Sequence, residues 1–220
     1  MNKFSTIALP LACISLIALA GCASTAPVPY VKLNSAPQLQ PNSQKDADKT
    51  PYVYSSNANW MDYSTIVMEP VTIYNGPDHQ FGDLSEAGKQ ELANYMDTTF
   101  KKVLSARFRI ATNTGPNTLK LKLTLTGAGT NTAVASTVTR FDLAGMPYNV
   151  VQSVRGKEGI FMGSVSYSVE IYDATSNQLL KAFVTKQYPN AMNIAATFGS
   201  LSAAKTGIEK GADALVAQLK

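Results

Sequence analysis

From Leu119 to Thr126 the chain alternates without exception, with Leu119, Leu121, Leu123 and Leu125 separated by Lys120, Lys122, Thr124 and Thr126. A period of two specifies a β-strand with one face in a core and the other toward water. A slip of one residue would turn every leucine to solvent, so the register is strongly constrained. Any fold for this chain is therefore built on a sheet through this strand, with an apolar layer over the leucines. A candidate layer lies upstream. Ser85 has the chemistry of an N-cap and Glu86 suits the positive end of a helix. Leu92, Tyr95, Met96, Phe100, Val103 and Leu104 then recur at spacings of three and four, with Thr99 partly on the same stripe. That pattern predicts an amphipathic helix over about Glu86 to Ala106, with Lys101, Lys102 and Arg107 complementing its C-terminal end.

Further strands follow from the same reasoning. Ser64 to Tyr74 is an apolar, β-branched run, and Pro70 within it implies a bulge or an edge position. Phe108 to Ala111 suggests a short strand. Val165, Tyr167, Val169 and Ile171 share a face with Phe161, opposite Ser164, Ser166, Ser168 and Glu170. With the turn residues Asp173 to Asn177 and the return strand from Gln178, they predict a β-hairpin over about Phe161 to Tyr188. An Ala-rich region from Met192 leads to a last helix that uses Ile208, Ala212, Leu215, Val216 and Leu219. The expected class is α+β. It comprises an antiparallel-rich sheet of four to five strands, with the long amphipathic helix and the C-terminal helix on one face.

The N-terminus carries a different message. Lys3 precedes an apolar run from Phe4 to Ala20, which is broken by Ser5, Thr6, Pro10 and Ser15 and ends in Leu19-Ala20-Gly21-Cys22. This is the order of a signal peptide whose small residues admit a peptidase, immediately before a cysteine able to carry lipid. Residues 1–21 are read as a lipoprotein signal peptide, Cys22 as the lipidated first residue, and 22–51 as a disordered tether. The tether reading rests on Pro27, Pro29, Pro37, Pro41 and Pro51 among Ser, Asn, Gln and Thr. Residues 52–220 are left as a single periplasmic α+β domain. Cys13 leaves with the signal peptide and Cys22 is acylated, so the domain has neither a free thiol nor a disulfide. Ala23 stands where many lipoproteins retained in the inner membrane carry Asp, which points to the outer membrane. The formal net charge of +4 is mild for this length and forms no run, which excludes a nucleic-acid footprint.

Few residues suggest chemistry. His79 is the single histidine, beside Asp78 in a polar turn, and one histidine cannot build a Cys/His or multi-His metal site. Gly127-Ala128-Gly129 lacks the third glycine of a dinucleotide loop. The acids Glu69, Glu158, Glu170 and Asp173 lie in or beside strand-like regions with nothing to pair any two of them, and they read as solvated. Tyr52, Tyr54, Trp60 and Tyr63 form an aromatic cluster, either packed over a domain edge or serving as a stacking platform. Gly127 to Gly159 fits no single period. It reads as a partly helical excursion or a long hairpin from near Val134. Phe141, Leu143, Met146 and Tyr148 within it are candidates for an apolar contact patch or for a cover on the sheet.

Taken in order, these features resemble a family of bacterial lipoproteins known as domain-of-unknown-function family 3313. The likeness rests on the lipobox, Asp62-Tyr63-Ser64, Glu69-Pro70-Val71 in a strand, and the long helix. It continues with the Leu119–Thr126 strand, Gly163-Ser164-Val165, Glu170-Ile171-Tyr172-Asp173-Ala174 and Leu179-Leu180-Lys181-Ala182. It covers about residues 60–220. The family usually has Gly in the turn after Asp-Ala; Asn177 stands there instead and also tolerates positive φ. The resemblance supplies no catalytic residues to carry over. The expectation is a lipid-anchored, non-enzymatic binding or scaffolding domain, without cofactor or metal, facing the periplasm. It would meet the membrane through its lipid, and an envelope protein or a second copy of itself through its domain. A small-ligand or glycan-binding module and an envelope hydrolase remain as alternatives.

Overall fold

The computed structural model describes residues 32–76, 80–130, 163–190, 193, 196 and 199–220. The leucine strand is the long β6 (Thr118–Gly129), and it lies inside an eight-stranded mixed sheet. The other strands are β1 (Gln40–Pro41), β2 (Tyr52–Ser55), β3 (Thr65–Met68), β4 (Thr72–Ile73), β5 (Arg109–Ala111), β7 (Ser164–Asp173) and β8 (Leu179–Gln187). Along the sheet the order is β1-β2-β8-β7-β6-β3-β5, with β4 also on β6. Helix α1 spans Glu86–Leu104 and α2 spans Ser202–Gln218.

This corrects the expected four to five antiparallel-rich strands. β3 runs parallel to both β5 and β6, and β4 runs parallel to β6. The chain leaves β4 through α1 and re-enters the sheet alongside β3, a helical crossover that permits parallel neighbours. The expected strand over Ser64–Tyr74 is divided in two. Met68 pairs with Leu121 but Thr72 with Thr124, so one extra residue is accommodated around Pro70. A proline cannot supply the ladder N–H, and the bulge falls where it stands.

Leu119, Leu121, Leu123 and Leu125 are all buried. They form one core with Leu92, Met96, Phe100 and Leu104 of α1, Val165, Tyr167, Val169 and Ile171 of β7, and Ile208, Ala212 and Leu215 of α2. Ser85 caps α1, accepting from the Gly88 N–H at 3.2 Å. Two polar contacts join the helices: the Tyr95 hydroxyl donates to Glu209, and Lys205 pairs with Glu91 at 2.6 Å. Close approach of α2 to the sheet depends on Gly207, where a Cβ would come within 2.9 Å of the Gln187 carbonyl oxygen and of Val165 Cγ1. The predicted hairpin is formed by β7 and β8, and Asn177 takes the positive φ (58°) expected of it.

The expected tether and the wet second face both need correction. Leu33 and Leu39 are buried, so the packed chain extends back to Leu33 rather than starting at Tyr52. With Tyr172, Leu179, Ala182 and Val184, and with Ala36, Tyr52, Tyr54 and Tyr74 alongside, they form a second core on the face away from the helices. Composition misleads here because two leucines suffice to fix a short strap among polar residues and prolines.

Gly207→Ala should lower the thermal unfolding midpoint by the equivalent of about 1–3 kcal/mol, because overpacking against a backbone carbonyl outweighs alanine's better helix propensity. Thermal unfolding followed by circular dichroism checks this; an unchanged or raised midpoint would contradict the close packing.

Candidate functional site

The sequence candidates are not brought together in one place. Cys22, His79, Glu158 and the patch residues Phe141, Leu143, Met146 and Tyr148 lie outside the described residues, as does most of the 127–159 excursion. Its opening Gly127-Ala128-Gly129 is not a loop but the end of β6, paired with Ser166, Val165 and Ser164. A bulge between Leu125 and Gly127 leads into it. Glycine is required at 127 because a Cβ would meet the Gln80 carbonyl oxygen at 2.7 Å, and Ala128 donates its N–H to that same oxygen.

The aromatic cluster is divided. Tyr52 and Tyr54 lie under the strap, Trp60 packs against the helix-side core, and the Tyr63 hydroxyl donates to Asp173 Oδ2 at 3.1 Å. The four therefore do not form one stacking platform. Tyr63 and Asp173 instead staple the family-like segments around Asp62 and Asp173 to each other. Asp173 also accepts from the Ser176 and Thr175 amides and the Ser176 hydroxyl. Those donors, the Ser176 amide first, hold its carboxyl below the usual range. Burial, followed by the neighbouring Asp173, raises the Tyr63 hydroxyl.

The most constrained polar group is Glu170. It was expected to be solvated, since it alternates with the apolar face of its strand, yet it is only 4% exposed. Its Oε1 accepts from the Ser35 amide at 2.7 Å and from the Tyr172 hydroxyl at 3.2 Å. The Tyr172 ring in turn lies under the Lys120 and Lys122 ammoniums, 5.2 and 5.6 Å from its centroid. Burial first, and then the Glu170 charge, push the Tyr172 hydroxyl well up. Lys122 also pairs with Glu69 at 3.3 Å. The result is a buried carboxylate that clasps the strap: residues 35–39 close a turn through the Gln38 and Leu39 amides on the Ser35 carbonyl, and the Ser35 N–H reaches Glu170. Buried hydroxyls of Ser35 and Ser168 have no partner among the described residues, so closing this face carries a polar cost. Sequence reasoning missed the clasp because its two halves are separated by over a hundred positions and one of them is a backbone N–H.

Elsewhere, a groove of about 270 Å³ runs between the β3–β4 bulge and α1, lined by Met68, Pro70, Val71, Ala93, Asn94 and Asp97 among others. Among the described residues no three His, Cys, Asp or Glu side chains gather as a metal-holding group, and no helix is long and apolar enough to cross a membrane.

The model of a protein family of unknown function, DUF3313, matches residues 30–215. The chain belongs to the DUF3313 family. The match begins ahead of the strap, so the DUF3313 unit includes the segment that composition assigned to a tether. Among solved structures, the DUF3313 chain is similar to the PelC dodecamer from Paraburkholderia phytofirmans, with 11% identity, 73% of this chain and 94% of that one covered, and a TM-score of 0.37. It is also similar to a DUF4136-family protein from Bacteroides thetaiotaomicron, with 11% identity, coverage of 76% and 95%, and a TM-score of 0.35. A DUF330-family protein from Xanthomonas campestris shows 9% identity, coverage of 74% and 87%, and a TM-score of 0.36. No curated protein matches the chain.

Two measurements follow from this geometry. Glu170→Ala should release the strap while the helix-side core holds, because it strips the Ser35 N–H of its partner. Hydrogen exchange should then rise at least about tenfold at residues 35–39 and stay slow in α1 and β6; global unfolding, or an unchanged strap, would contradict the clasp. The stability that Asp173 contributes should be present above its ordinary pKa of 3.8 and be lost as pH falls through its lower folded value. Asp173→Asn should abolish that part of the acid dependence of the unfolding midpoint.

Proposed function

We propose that this DUF3313 chain is a lipid-anchored protein of the bacterial envelope, held at the outer membrane with its domain in the periplasm. In this reading the domain binds or scaffolds other molecules rather than catalysing a reaction. The observation that carries the proposal is Leu19-Ala20-Gly21-Cys22 at the end of a broken apolar run. A thiol at that boundary can be alkylated by a diacylglyceryl donor, and the amine freed by cleavage can take a further chain. Two or more acyl chains make an anchor stable where one is marginal. Ala23 in place of Asp supports the outer membrane.

The strap changes what such an anchor implies. With packing already established at Leu33, only about eleven residue steps separate a lipid on Cys22 from packed chain, a span of at most roughly 40 Å even at full extension. The domain is thereby confined near the bilayer, and its partners belong to the membrane surface or its immediate neighbourhood.

The non-enzymatic reading is supported by how the acids are used. Glu170 accepts from the strap and Tyr172, Glu69 pairs with Lys122, and Asp173 ties a turn, so each serves the fold. The alternative of a glycan- or small-ligand module loses its platform through the division of the tyrosines and Trp60 between two faces.

In the native host, Cys22→Ser should remain unprocessed and unacylated, and Ala23→Asp should shift the protein toward the inner membrane. Intact-mass measurement of separated inner- and outer-membrane fractions tests both. A wild-type species without acyl mass would overturn the anchor. Retention of Ala23→Asp in the outer membrane would overturn the sorting argument.

A further inference from the structure

The sheet has unequal edges. At one end, β1 is two residues long and contains Pro41, which lacks an N–H. Beyond Met68, the outer side of β3 runs into Pro70 and the bulge. Both places are blunted as edge strands usually are. At the other end β5 pairs only with β3, and no strand among the described residues pairs with its outer side. Arg109 N–H donates to the Ser64 carbonyl at 2.9 Å, whereas Thr65 donates to Asn117, just ahead of β6, and Glu69 to Leu121 of β6. With that alternation, Arg109 and Ala111 turn their backbone groups toward β3, and Ile110 turns its N–H and C=O outward.

The side chains around this edge are unusual for the molecule. Met61, 72% exposed, and Ile110, 37% exposed, are the large apolar residues left open to solvent among those described, and both belong to this end of the sheet. Arg107 holds Met61 there. Its guanidinium donates to the Trp60 and Tyr63 carbonyls at 3.1 and 3.2 Å, lies 4.0 Å from Met61 Sδ, and stacks on Phe108. Arg109 reaches the Thr65 hydroxyl at 3.3 Å. Neither Arg107 nor Arg109 has a carboxylate partner among the described residues, where the ion pairs are those of Lys89, Lys101, Lys122 and Lys205. The nearby Asp62 carboxylate accepts from the neutral Asn59 amide and pairs with neither guanidinium. The open edge thus combines an outward backbone pair, two exposed apolar side chains and two fixed, unneutralised guanidiniums.

We propose that β5 is a docking edge for an extended acidic segment of a partner protein. The segment adds as a strand beside Ile110, sets apolar side chains against Ile110 and Met61, and places its carboxylates toward Arg107 and Arg109. Main-chain pairing supplies affinity and the flanking charges supply selection. Charge complementarity decides against a second copy of this chain. Pairing β5 with β5 would bring four guanidiniums to one seam, within a screening length of each other. The inference rests on the reading of the domain as a binding module but not on the lipid anchor, and the two fail separately.

The test uses the full chain in detergent micelles and a labelled synthetic peptide alternating Glu and Val, with a Lys-for-Glu counterpart and an alternately N-methylated version. The acidic peptide should bind, shift the amide resonances of Arg109, Ile110 and Ala111, and weaken at least about tenfold in Arg109→Glu and on raising salt from about 0.05 to 0.5 M. N-methylation should abolish binding. Arg109→Gln, which keeps a neutral hydrogen-bonding side chain, should show an intermediate loss if Arg109→Glu does not fold. Equal binding of acidic and basic peptides, no binding of either, shifts confined to other elements, or a β5-mediated dimer in sedimentation would each overturn the proposal. Stable envelope partners retained equally by Arg109→Glu would remove this edge and leave the binding-module reading standing.

Discussion

The pairing of β6 on both sides is the constraint on which the rest depends. One strand carries parallel neighbours, β3 and β4, on one edge and the antiparallel β7 on the other. Its leucine row therefore serves as the shared floor for a helical crossover and for a hairpin. Because the period of two fixes which face is apolar, α1 must lie over Leu119–Leu125. The same register then carries Val165, Tyr167, Val169 and Ile171 onto that floor. The Phe100 and Tyr167 rings meet edge to face at 5.9 Å, at the place where the α1 layer and the β7 layer join. α2 closes over the remainder only because Gly207 and Gly211 carry no side chain toward Val165, Gln187 and Tyr167.

Periodic elements were legible in the sequence for this reason. The N-cap at Ser85, the α1 stripe, β6, the β7–β8 hairpin, the bulge at Pro70 and the turn at Asn177 all have local causes: a side-chain period, a missing N–H, or a backbone that must adopt positive φ. What escaped was non-local. Parallel pairing of β3 with β5 and β6 has no sequence period of its own. β2 joins the sheet through register with β8, and β1, which pairs with β2, lies in a stretch whose composition resembles a linker. Glu170 alternates with apolar residues as a solvent-facing acid would, and only the strap turns its environment into a buried one. The candidate site was harder still, because a clasp between a backbone amide and a distant carboxylate leaves no trace in spacing.

The two faces of the sheet are held by different physics. On the helix side, large apolar side chains from three layers interlock. On the strap side, two leucines, a row of tyrosines, the Ser35–Glu170 hydrogen bond and the Lys49 carbonyl's bonds to Lys186 and Thr185 cover a face that also buries hydroxyls at Ser35 and Ser168 with no partner among the described residues. An unsatisfied buried hydroxyl costs about 1–3 kcal/mol, comparable to what one buried leucine contributes. The strap is therefore the thinner layer, and local opening there is separable from unfolding of the helix-side core.

That asymmetry acquires a direction from the proposed anchor. A pull on a chain fixed at Cys22 reaches the domain first at the strap, through Leu33 and the Ser35–Glu170 bond, and only then the sheet. Glu170 sits on β7, between β6 and β8, so the clasp passes load to an interior strand paired along both edges. The opposite end of the sheet, at β5, is the farthest from the strap in strand order. Attachment on this scheme lies at the strap over β7 and β8 and recognition at the β5 edge, and neither needs the other to move. An anchor that entered at β5 would instead compete with any strand docking there, and a partner that docked at β1 would meet Pro41 and the strap itself.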